Sequence, residues 1–501
     1  MHEELMEIAL KRSILIPSNE IYGHISGFYD YGAVGAPLKN RIQQSWRKFF
    51  IQRDGLREIS TVHIVPEVVL QASGHVGHFG DPIVKCKKCK SQHRADSLVY
   101  DKTDVNCEGK PPEEINKLIQ EHGIKCPDCE GDLEPVGWFN LMFQTNIGAV
   151  AGSNPGYARP ETAQGIFLDF MRVFRASGTR LPLGIAQIGK SYRNEISPRQ
   201  GLVRLREFTQ MEIEYFFNPN NPKHERFGEV ADYNLRLVTQ DSQKSGKKDE
   251  VTEISCSGAV EKGIIPNEIM AYYIARTFQF YEAVGIQRQR MRFRHMLPEE
   301  TPHYSKGNFD LEVETSYGWI ETVGIAYRTD YDLSNHAKMS KQDLSVFVEE
   351  EKKKLVPHVV EPSMGVDRML WCILEHCYRD GGGAEKRDWS WFDFPPQIAP
   401  FDCAVFPLMK KDGMKEKASE LADSLRDEGF NVVFDYSGSI GKRYARQDEI
   451  GTPYCMTVDY DTLKDDTVTL RYRNDGQQER VKVSELSSKL RSLARSGRVS
   501  L

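Results

Sequence analysis

The stretch from Ala186 to Phe217, AQIGKSYRNEISPRQGLVRLREFTQMEIEYFF, constrains the fold more than any other part of the chain, because it reads as two long strands joined by a charged loop. By the period of two, Gln187, Ser191 and Arg193 share one face of the first strand. Arg206, Phe208, Gln210, Glu212 and Glu214 share one face of the second, opposed by Leu205, Met211, Ile213 and Tyr215. One face is apolar and the other charged, an alternation that a half-buried strand with solvated charges would also give. The loop argues for more. Arg193-Asn194-Glu195-Ile196-Ser197-Pro198-Arg199-Gln200-Gly201, followed by Arg204 and Arg206, gathers guanidinium groups around a tight turn, and arginine forks suit phosphate oxygens.

The 501 residues leave room for roughly two to four domains, and 40% hydrophobic with 28% charged residues is the composition of a soluble globular protein. The opening MHEELMEIALKRSILIPSNE lacks the apolar core of a signal peptide, and no run of about 18 apolar residues could span a membrane, so a cytoplasmic protein with no membrane partner is expected. A net charge of −6 means that any contact with nucleic acid must come from a local basic face. Ten cysteines without an export signal read as thiols or metal ligands rather than a disulfide framework.

In chain order, residues 1–20 read as a helix ending at Ile16-Pro17. A second helix runs from about Pro37 to Arg53, with Leu38, Ile42, Trp46, Phe49 and Phe50 at helical spacing, and a strand-like run from Glu58 to Val69 contains Pro66. Residues 83–136 form an insertion with Cys86-x-x-Cys89 and Cys126-x-x-Cys129, whose four thiolates suit one tetrahedral Zn²⁺ in a zinc ribbon. The 36 residues between the pairs exceed the usual spacing of about 15–20, which leaves Cys107 and His93 as alternative ligands. Arg159-Pro160-Glu161-Thr162-Ala163-Gln164-Gly165-Ile166-Phe167 could open a helix. Residues 219–300 look like an insertion, whose Tyr272, Tyr273, Phe278 and Tyr281 recur at helical spacing and so read as packing. Gly318 to Ala326 reads as a buried strand in which Glu321 needs a cationic partner. Glu361-Pro362-Ser363-Met364-Gly365-Val366-Asp367-Arg368 opens a helix running to about Tyr378. Gly365 allows a close turn there, and Arg368 sits against the helix dipole as if facing a polyanion. After the Pro395-Pro396 linker, alternating strands and helices from Cys403 to Val458 form a small α/β domain, and Glu479 to Leu501 is a net basic helix or tail.

These segments carry a resemblance. Strand, Arg-Asn-Glu loop and strand with Arg-Glu-Phe resemble motif 2 of class II aminoacyl-tRNA synthetases, and the wording, with Arg159 to Phe167, is similar to the glycyl-tRNA synthetase family. The early helix and Pro66 strand resemble motif 1, Glu361 to Arg368 resembles motif 3, and Ser439 to Gly451 resembles the anticodon-binding domain of the glycyl, prolyl, threonyl and histidyl enzymes. The resemblance implies an α+β fold: an antiparallel sheet flanked by helices, then a C-terminal α/β anticodon-binding domain. The implied divisions are 1–82 with motif 1, 83–136 as the zinc ribbon, 137–218 with motif 2, 219–300, 301–394 with motif 3, and 400–501.

It also implies an ATP-dependent ligase that joins glycine to tRNA(Gly) through glycyl-adenylate, as a homodimer using Mg²⁺ and a structural Zn²⁺. Arg193 and Arg368 are the implied catalytic pair, on the α- and γ-phosphates, and Phe208 stacks on adenine. Asn194, Glu195, Val203, Arg204, Arg206, Thr322 and Gly365 complete the ATP site, with Glu321 holding Mg²⁺. Arg94, Glu161, Gln210, Glu212, Glu361 and Ser363 are the implied glycine residues, and Lys442, Arg443 and Arg446 the implied anticodon contacts. At Tyr327 the family more often has Asp or Asn.

Two short segments point elsewhere. His75-Val76-Gly77-His78 and Lys338-Met339-Ser340-Lys341 resemble the class I synthetase signatures, but Phe79-Gly80-Asp81-Pro82 is expected to break the helix that the first signature should open. A non-catalytic relative on the same architecture would be marked by loss of the motif arginines or the pocket acids, all of which are present.

Overall fold

The computed structural model describes residues 2–107, 110–150, 154–196, 198, 201–247, 249–301, 304–381 and 387–496; Ser197, Arg199 and Gln200 of the charged loop and residues 497–501 of the expected basic tail lie outside them. A nine-stranded sheet organises the molecule. Its strands are β1 (Arg57–Glu58), β2 (Leu183–Tyr192), β3 (Glu207–Phe217), β4 (Asn234–Val238), β5 (Thr252–Ser255), β6 (Met291–His295), β7 (Asn308–Thr315), β8 (Gly318–Thr329) and β9 (His358–Gly365), in the order β5-β4-β6-β7-β8-β9-β3-β2-β1. Only β1–β2 and β4–β6 pair in parallel.

The central hairpin keeps an unbroken register from Leu183↔Phe216 to Tyr192↔Glu207. Its apolar side meets three helices, α1 (Gly35–Trp46), α3 (Glu268–Ala283) and α5 (Val366–Cys377), in one large core that includes Met211, Ile213, Trp46, Phe278 and Trp371. Burying a side chain such as Phe278 contributes about 1.5–3 kcal/mol over leaving it in water. On the opposite face, α2 (Ala163–Ala176) and α4 (Tyr331–Ser340) cover only one end, through Phe167, Phe170, Leu333 and Phe216. The rest of that polar face is the floor of a cavity. Its side chains are not solvated as an ordinary exposed sheet face would be: Gln187, Ser191, Glu212 and Glu214 are all buried.

Several elements differ from the sequence expectation. The first helix stops at Lys11, because Ser13 takes a left-handed conformation (φ 55°), and Leu15–Pro17 turns into a strand paired with Tyr29–Tyr31. The expected Glu58–Val69 strand breaks into Arg57–Glu58 and Ile64–Pro66, followed by a helix, Glu67–Ala72. Residues 219–300, expected as an insertion, supply β4, β5 and β6 of the same sheet and α3 beneath it; Tyr272, Tyr273, Phe278 and Tyr281 are all fully buried.

The cysteine-bearing segment forms its own three-stranded sheet from Gly80–Lys85, Gln92–Arg94 and Gly137–Asn140, with a small core around Val84, Val99, Ile115 and Ile119. The C-terminal unit is a five-stranded sheet of β10 (Cys403–Pro407), β11 (Val432–Phe434), β12 (Tyr454–Val458), β13 (Thr467–Tyr472) and β14 (Gln478–Lys482), ordered β11-β10-β12-β13-β14. Helices α6 (Met414–Asp427), α7 (Ile440–Glu449) and α8 (Leu486–Ser496) complete it around a separate core. It is tied to the rest of the chain by Arg41, bidentate to Asp402 at 2.8 and 2.6 Å, and by Arg12 against Glu449.

Candidate active site

The cavity above the polar face has a volume of about 480 Å³. From the residues expected at the site it gathers Glu161, Arg193, Glu195, Val203, Arg204, Phe208, Gln210, Glu212, Glu321, Thr322, Glu361, Ser363, Gly365 and Arg368.

One end is cationic. Arg193 continues the hairpin, its backbone N–H donating to Arg206 O at 2.9 Å, and its guanidinium lies between the rings of Phe79 and Phe208, at 5.2 and 5.3 Å from their centroids. Arg368, in the first turn of α5, is aimed by two backbone acceptors, Val203 O and Glu321 O, each at 2.8 Å. Two guanidinium groups and an aromatic face thus converge, an arrangement suited to a polyphosphate carrying a flat ring. Gly365 has an ordinary backbone (φ −80°, ψ 111°), which corrects the expected tight turn; a Cβ there would meet Arg368 and Thr322 O at 3.9 Å, so its absence leaves space over the strand end.

Glu321 is not buried as expected: its side chain is 54% exposed on the cavity, 3.7 Å from Arg368. A β-bulge is the cause. The register steps from Leu311↔Val323 to Glu312↔Glu321, so the extra residue, Thr322, turns inward and donates to Leu311 O at 3.2 Å while Glu321 swings out.

Three expected residues do not line the cavity. Asn194 donates its backbone N–H to Leu141 O at 2.6 Å, and Arg206 donates to Glu195 O at 2.8 Å, so both hold the loop rather than face the site. Arg94, expected to reach the substrate, is instead held by Asp96 at 3.1 and 2.5 Å and by Asp81 at 3.2 Å.

The other end is a buried cluster of acids. Oxygens of Glu212, Glu214 and Glu361 lie within 4.8 Å of one another. Arg328, fully enclosed, donates to Asp332 at 2.7 and 2.9 Å and to Glu361 at 2.8 Å, and lies 3.8 Å from Glu161. Glu161 also accepts from Gln164 at 2.8 Å and stands 3.5 Å from His75 Nε2; Glu212 accepts from Thr162. Gln210 bridges Ser191 and Ser363 at 2.5 and 3.1 Å. Burial, reinforced by neighbouring acids, pushes Glu214 and Glu361 well above the usual carboxylate range. Burial opposes ionisation of Glu161 as well, but His75 and Arg328 together hold it below that range. The cluster therefore offers acceptors to one small cation while Arg328 offsets part of their charge.

Local structure fixes this end. Glu161 sits just before α2 because Arg159, 3% exposed, passes under β2 and donates to Lys190 O, Thr61 O and Val62 O at 2.8, 3.1 and 3.2 Å. A Cβ on Gly189 would lie 2.2 Å from that guanidinium, so only glycine lets it cross.

Two comparisons bear on this geometry. Residues 154–238, the span holding Glu161 and the whole β2–β3 hairpin, match the tRNA synthetase class II core domain (G, H, P, S and T), and residues 402–493 match the anticodon binding domain. Glycine--tRNA ligases of Methanocaldococcus jannaschii and Methanothrix thermoacetophila are each 43% identical to the chain, over 97% and 98% of it and 98% and 97% of their own lengths; that of Pyrococcus furiosus is 41% identical over 98% and 99%. The chain belongs to the glycine--tRNA ligase family.

In this family member four cysteines form a second site. Cys86, Cys89, Cys126 and Cys129 place their sulfurs within 4.8 Å of one another, with Cys86–Cys129 and Cys89–Cys126 at 3.5 and 3.6 Å. Tetrahedral Zn–S bonds of about 2.3 Å put sulfurs about 3.8 Å apart, so the set fits Zn²⁺. Amides of Lys88 and Cys89 point at Cys86 Sγ at 3.4 and 3.5 Å, as a knuckle requires. Cys107 packs in the apolar core of the segment, and His93 lies 3.7 Å from Cys126 Sγ with Asp128 at 3.5 Å, beside the four sulfurs.

The family's anticodon-binding domain corrects one expected contact. Arg443 is 3% exposed and spends its guanidinium on Pro407 O and Gly438 O at 2.5 and 3.2 Å, so it holds α7 in place rather than reaching a partner. Arg446 is bound to Asp435 at 3.0 and 2.5 Å, and Lys442 stays exposed beside the Ser439 cap.

Three residues of the acid end of this ligase, Arg328, Asp332 and His75, escape a reading of the sequence. Arg328 lies at the end of β8 and Asp332 in the first turn of α4, so the Arg328-x-x-x-Asp332 spacing across that joint is the available signal for the first two. His75 belongs to the His75–His78 segment that resembles a class I signature. That segment forms a four-residue helix before Phe79, whereas Lys338 to Lys341 closes α4 and does not line the cavity. Tyr327 likewise faces away, bonded to His358 Nδ1 at 2.6 Å.

Proposed function

We propose that the chain activates glycine with ATP as glycyl-adenylate and transfers the glycyl group to tRNA(Gly). What carries the reading is one cavity holding two convergent arginines with Phe208 at one end and an acid cluster around Arg328 at the other. The ammonium of glycine sits among Glu161, Glu212 and Glu361, with Gln210 and Ser363 beside it. Its carboxylate then faces the α-phosphate held by Arg193, while Arg368 holds the γ-phosphate and Phe208 stacks on adenine. Carboxylate oxygen bonds to the α-phosphorus as pyrophosphate leaves; chemistry of this kind is mainly positioning and charge neutralisation. Val203, Arg204, Glu195, Thr322 and Gly365 line the nucleotide end, and Arg206 and Asn194 keep its loop in place. Glu321 opens on the same space and is the residue that would hold Mg²⁺, which neutralises phosphate charge when bound. The cysteine set holds a structural Zn²⁺, and Lys442 is offered to the anticodon arm.

Glycine has no side chain to grip, so selectivity comes from leaving no room for a methyl group rather than from the ~1–3 kcal/mol that a methylene gains in an attractive pocket. The assembly is a homodimer: Val62, Ile64 and Val68, beside Pro66, leave an apolar face 46–71% exposed, and sedimentation of the pure protein at the mass of two chains is the expected result.

ATP–pyrophosphate exchange with glycine, alanine, serine and no amino acid tests the reading. Exchange with glycine alone is expected; none with glycine, with or without tRNA, overturns the enzymatic assignment.

A further inference from the structure

We propose that Glu214, which does not line the cavity, is a positioning residue for glycine: it stays a neutral carboxylic acid and donates its hydroxyl to Glu361 from behind the pocket; this rests on the ligase reading above. The pairs Glu212↔Ser363 and Tyr215↔Val360 set Glu214 directly opposite Glu361, and on its other side Glu214 pairs with Ile185 of β2. Ile185 and Phe216 belong to the apolar core beneath α2, so Glu214 stands at the boundary between that core and the acid cluster. It is fully buried, whereas Glu212 and Glu361 line the cavity.

Two like charges directly opposite each other on neighbouring strands repel. Here the carboxyl groups of Glu161, Glu212, Glu214, Glu361 and Asp332 are all buried around one guanidinium, that of Arg328, with His75 beside Glu161. Arg328 donates to Glu361 at 2.8 Å, which favours the ionised form of Glu361. Neither oxygen of Glu214 has a hydrogen-bond partner among the described residues, and Glu212 Oε1 has none either. Such orphaned oxygens are costly, and a proton relieves the cost by turning one carboxyl into a donor for the next. One oxygen from each of Glu212, Glu214 and Glu361 lies within 4.8 Å of the other two, so a proton on Glu214 has a carboxylate to reach. Burial, then Glu361, push Glu214 well above the usual carboxylate range, which keeps that proton in place. A metal ion fits less well, since Arg328 already supplies the positive charge at Glu361.

The arrangement gives Glu361 two donors on the protein side and leaves its remaining acceptor capacity to the ammonium of glycine. With Arg328 alone, the last torsion of the side chain would be free to turn the carboxylate away from the cavity; a second donor fixes its plane. Glu212 Oε1, the other unmet oxygen of the cluster, is left for the same ammonium. The proton also makes a further acid tolerable at this place, because an ionised Glu214 would repel the two carboxylates it stands behind.

The test pairs Glu214→Gln, which keeps a donor at this place, with Glu214→Leu, which keeps the bulk and removes the donor. In glycine-dependent ATP–pyrophosphate exchange the KM for glycine is expected to rise about tenfold or more in Glu214→Leu and to stay within about threefold of the parent in Glu214→Gln, with the KM for ATP unchanged in both. Stability should move the other way: an apolar side chain replaces an orphaned polar one, so Glu214→Leu is expected to resist urea at least as well as the parent. In the infrared difference spectrum between the parent and Glu214→Gln, the carbonyl band of a protonated carboxylic acid is expected on the parent's side at about pH 7. Absence of that band, a parental KM for glycine in Glu214→Leu, or equal losses in the two variants overturn the proposal. No glycine-dependent exchange in the parent overturns the ligase reading itself, and the proposal with it.

Discussion

Arg328 is the counter-charge of the acid cluster, and cutting it back leaves Glu361 and Asp332 buried without a cation and Glu161 with His75 alone. Arg328→Gln is therefore expected to cost about 3–5 kcal/mol in chemical denaturation, with glycine-dependent exchange lost as well. Glu214 makes the opposite kind of prediction. Neither of its oxygens has a hydrogen-bond partner, and its folded pKa is raised by burial and by Glu361. The folded state thus holds a proton that the unfolded chain releases near pH 4.3; this contribution to stability is full below that value and is lost as pH rises through the folded pKa. Glu214→Gln removes the titration, so stability measured at about pH 5 and pH 8 should fall less across that interval in the variant than in the parent. Gln210 and Glu212 were legible in the sequence because strand alternation puts them on one face, whereas Ser363 came only with the resemblance, in a segment expected to open a helix that is instead strand β9 up to Gly365. Glu321 was misjudged because a bulge changes the parity of the alternation, and nothing in a one-dimensional pattern marks where that happens.

At the scale of elements, the cysteine segment has a core of only a few side chains around Val84, Val99 and Ile115, too small to hold two knuckles closed by itself. Stripping zinc with a strong chelator, or Cys126→Ser, is expected to release one metal equivalent and expose residues 83–136 to limited proteolysis while α3 stays protected. Helix α7 divides the expected anticodon contacts into two kinds. Arg443→Ala should lower stability by about 1–3 kcal/mol by leaving Pro407 O and Gly438 O unmet, whereas Lys442→Ala should leave stability alone and raise the KM for tRNA severalfold. The central hairpin and the two cysteine knuckles were readable from periodicity and spacing, whereas the end of the first helix and the Glu58–Val69 strand were not. The membership of 219–300 in the main sheet was not: β4 and β5 are short and polar, and their partners lie beyond local sequence range.

Across the whole molecule, buried ions tie the C-terminal unit to the segment that leads into it. Asp448, fully buried, takes two bonds from Arg471 at 3.0 and 3.1 Å and one from Trp389 at 3.3 Å, while Arg473 reaches Phe394 O at 2.8 Å and Gly451 O at 2.5 Å. Asp448 lies on α7, so the helix that offers Lys442 outward is anchored inward at the junction. Asp448→Asn is expected to leave glycine-dependent exchange near the parental rate and depress charging of tRNA, measured by acid-precipitable glycine.

Strand order has one more consequence, which concerns the time at which parts of the chain exist. β3 and β6 are not neighbours; β7, β8 and β9 are laid between them, and these are the last strands of the sheet to be made. While the ribosome is still short of residue 328, Glu161, Glu212 and Glu214 have emerged with neither the cation that offsets them nor the strand that covers them. The nascent chain therefore carries an unfinished gap through much of its synthesis, with edges free to pair wrongly, and the gap closes only when its final wedge arrives.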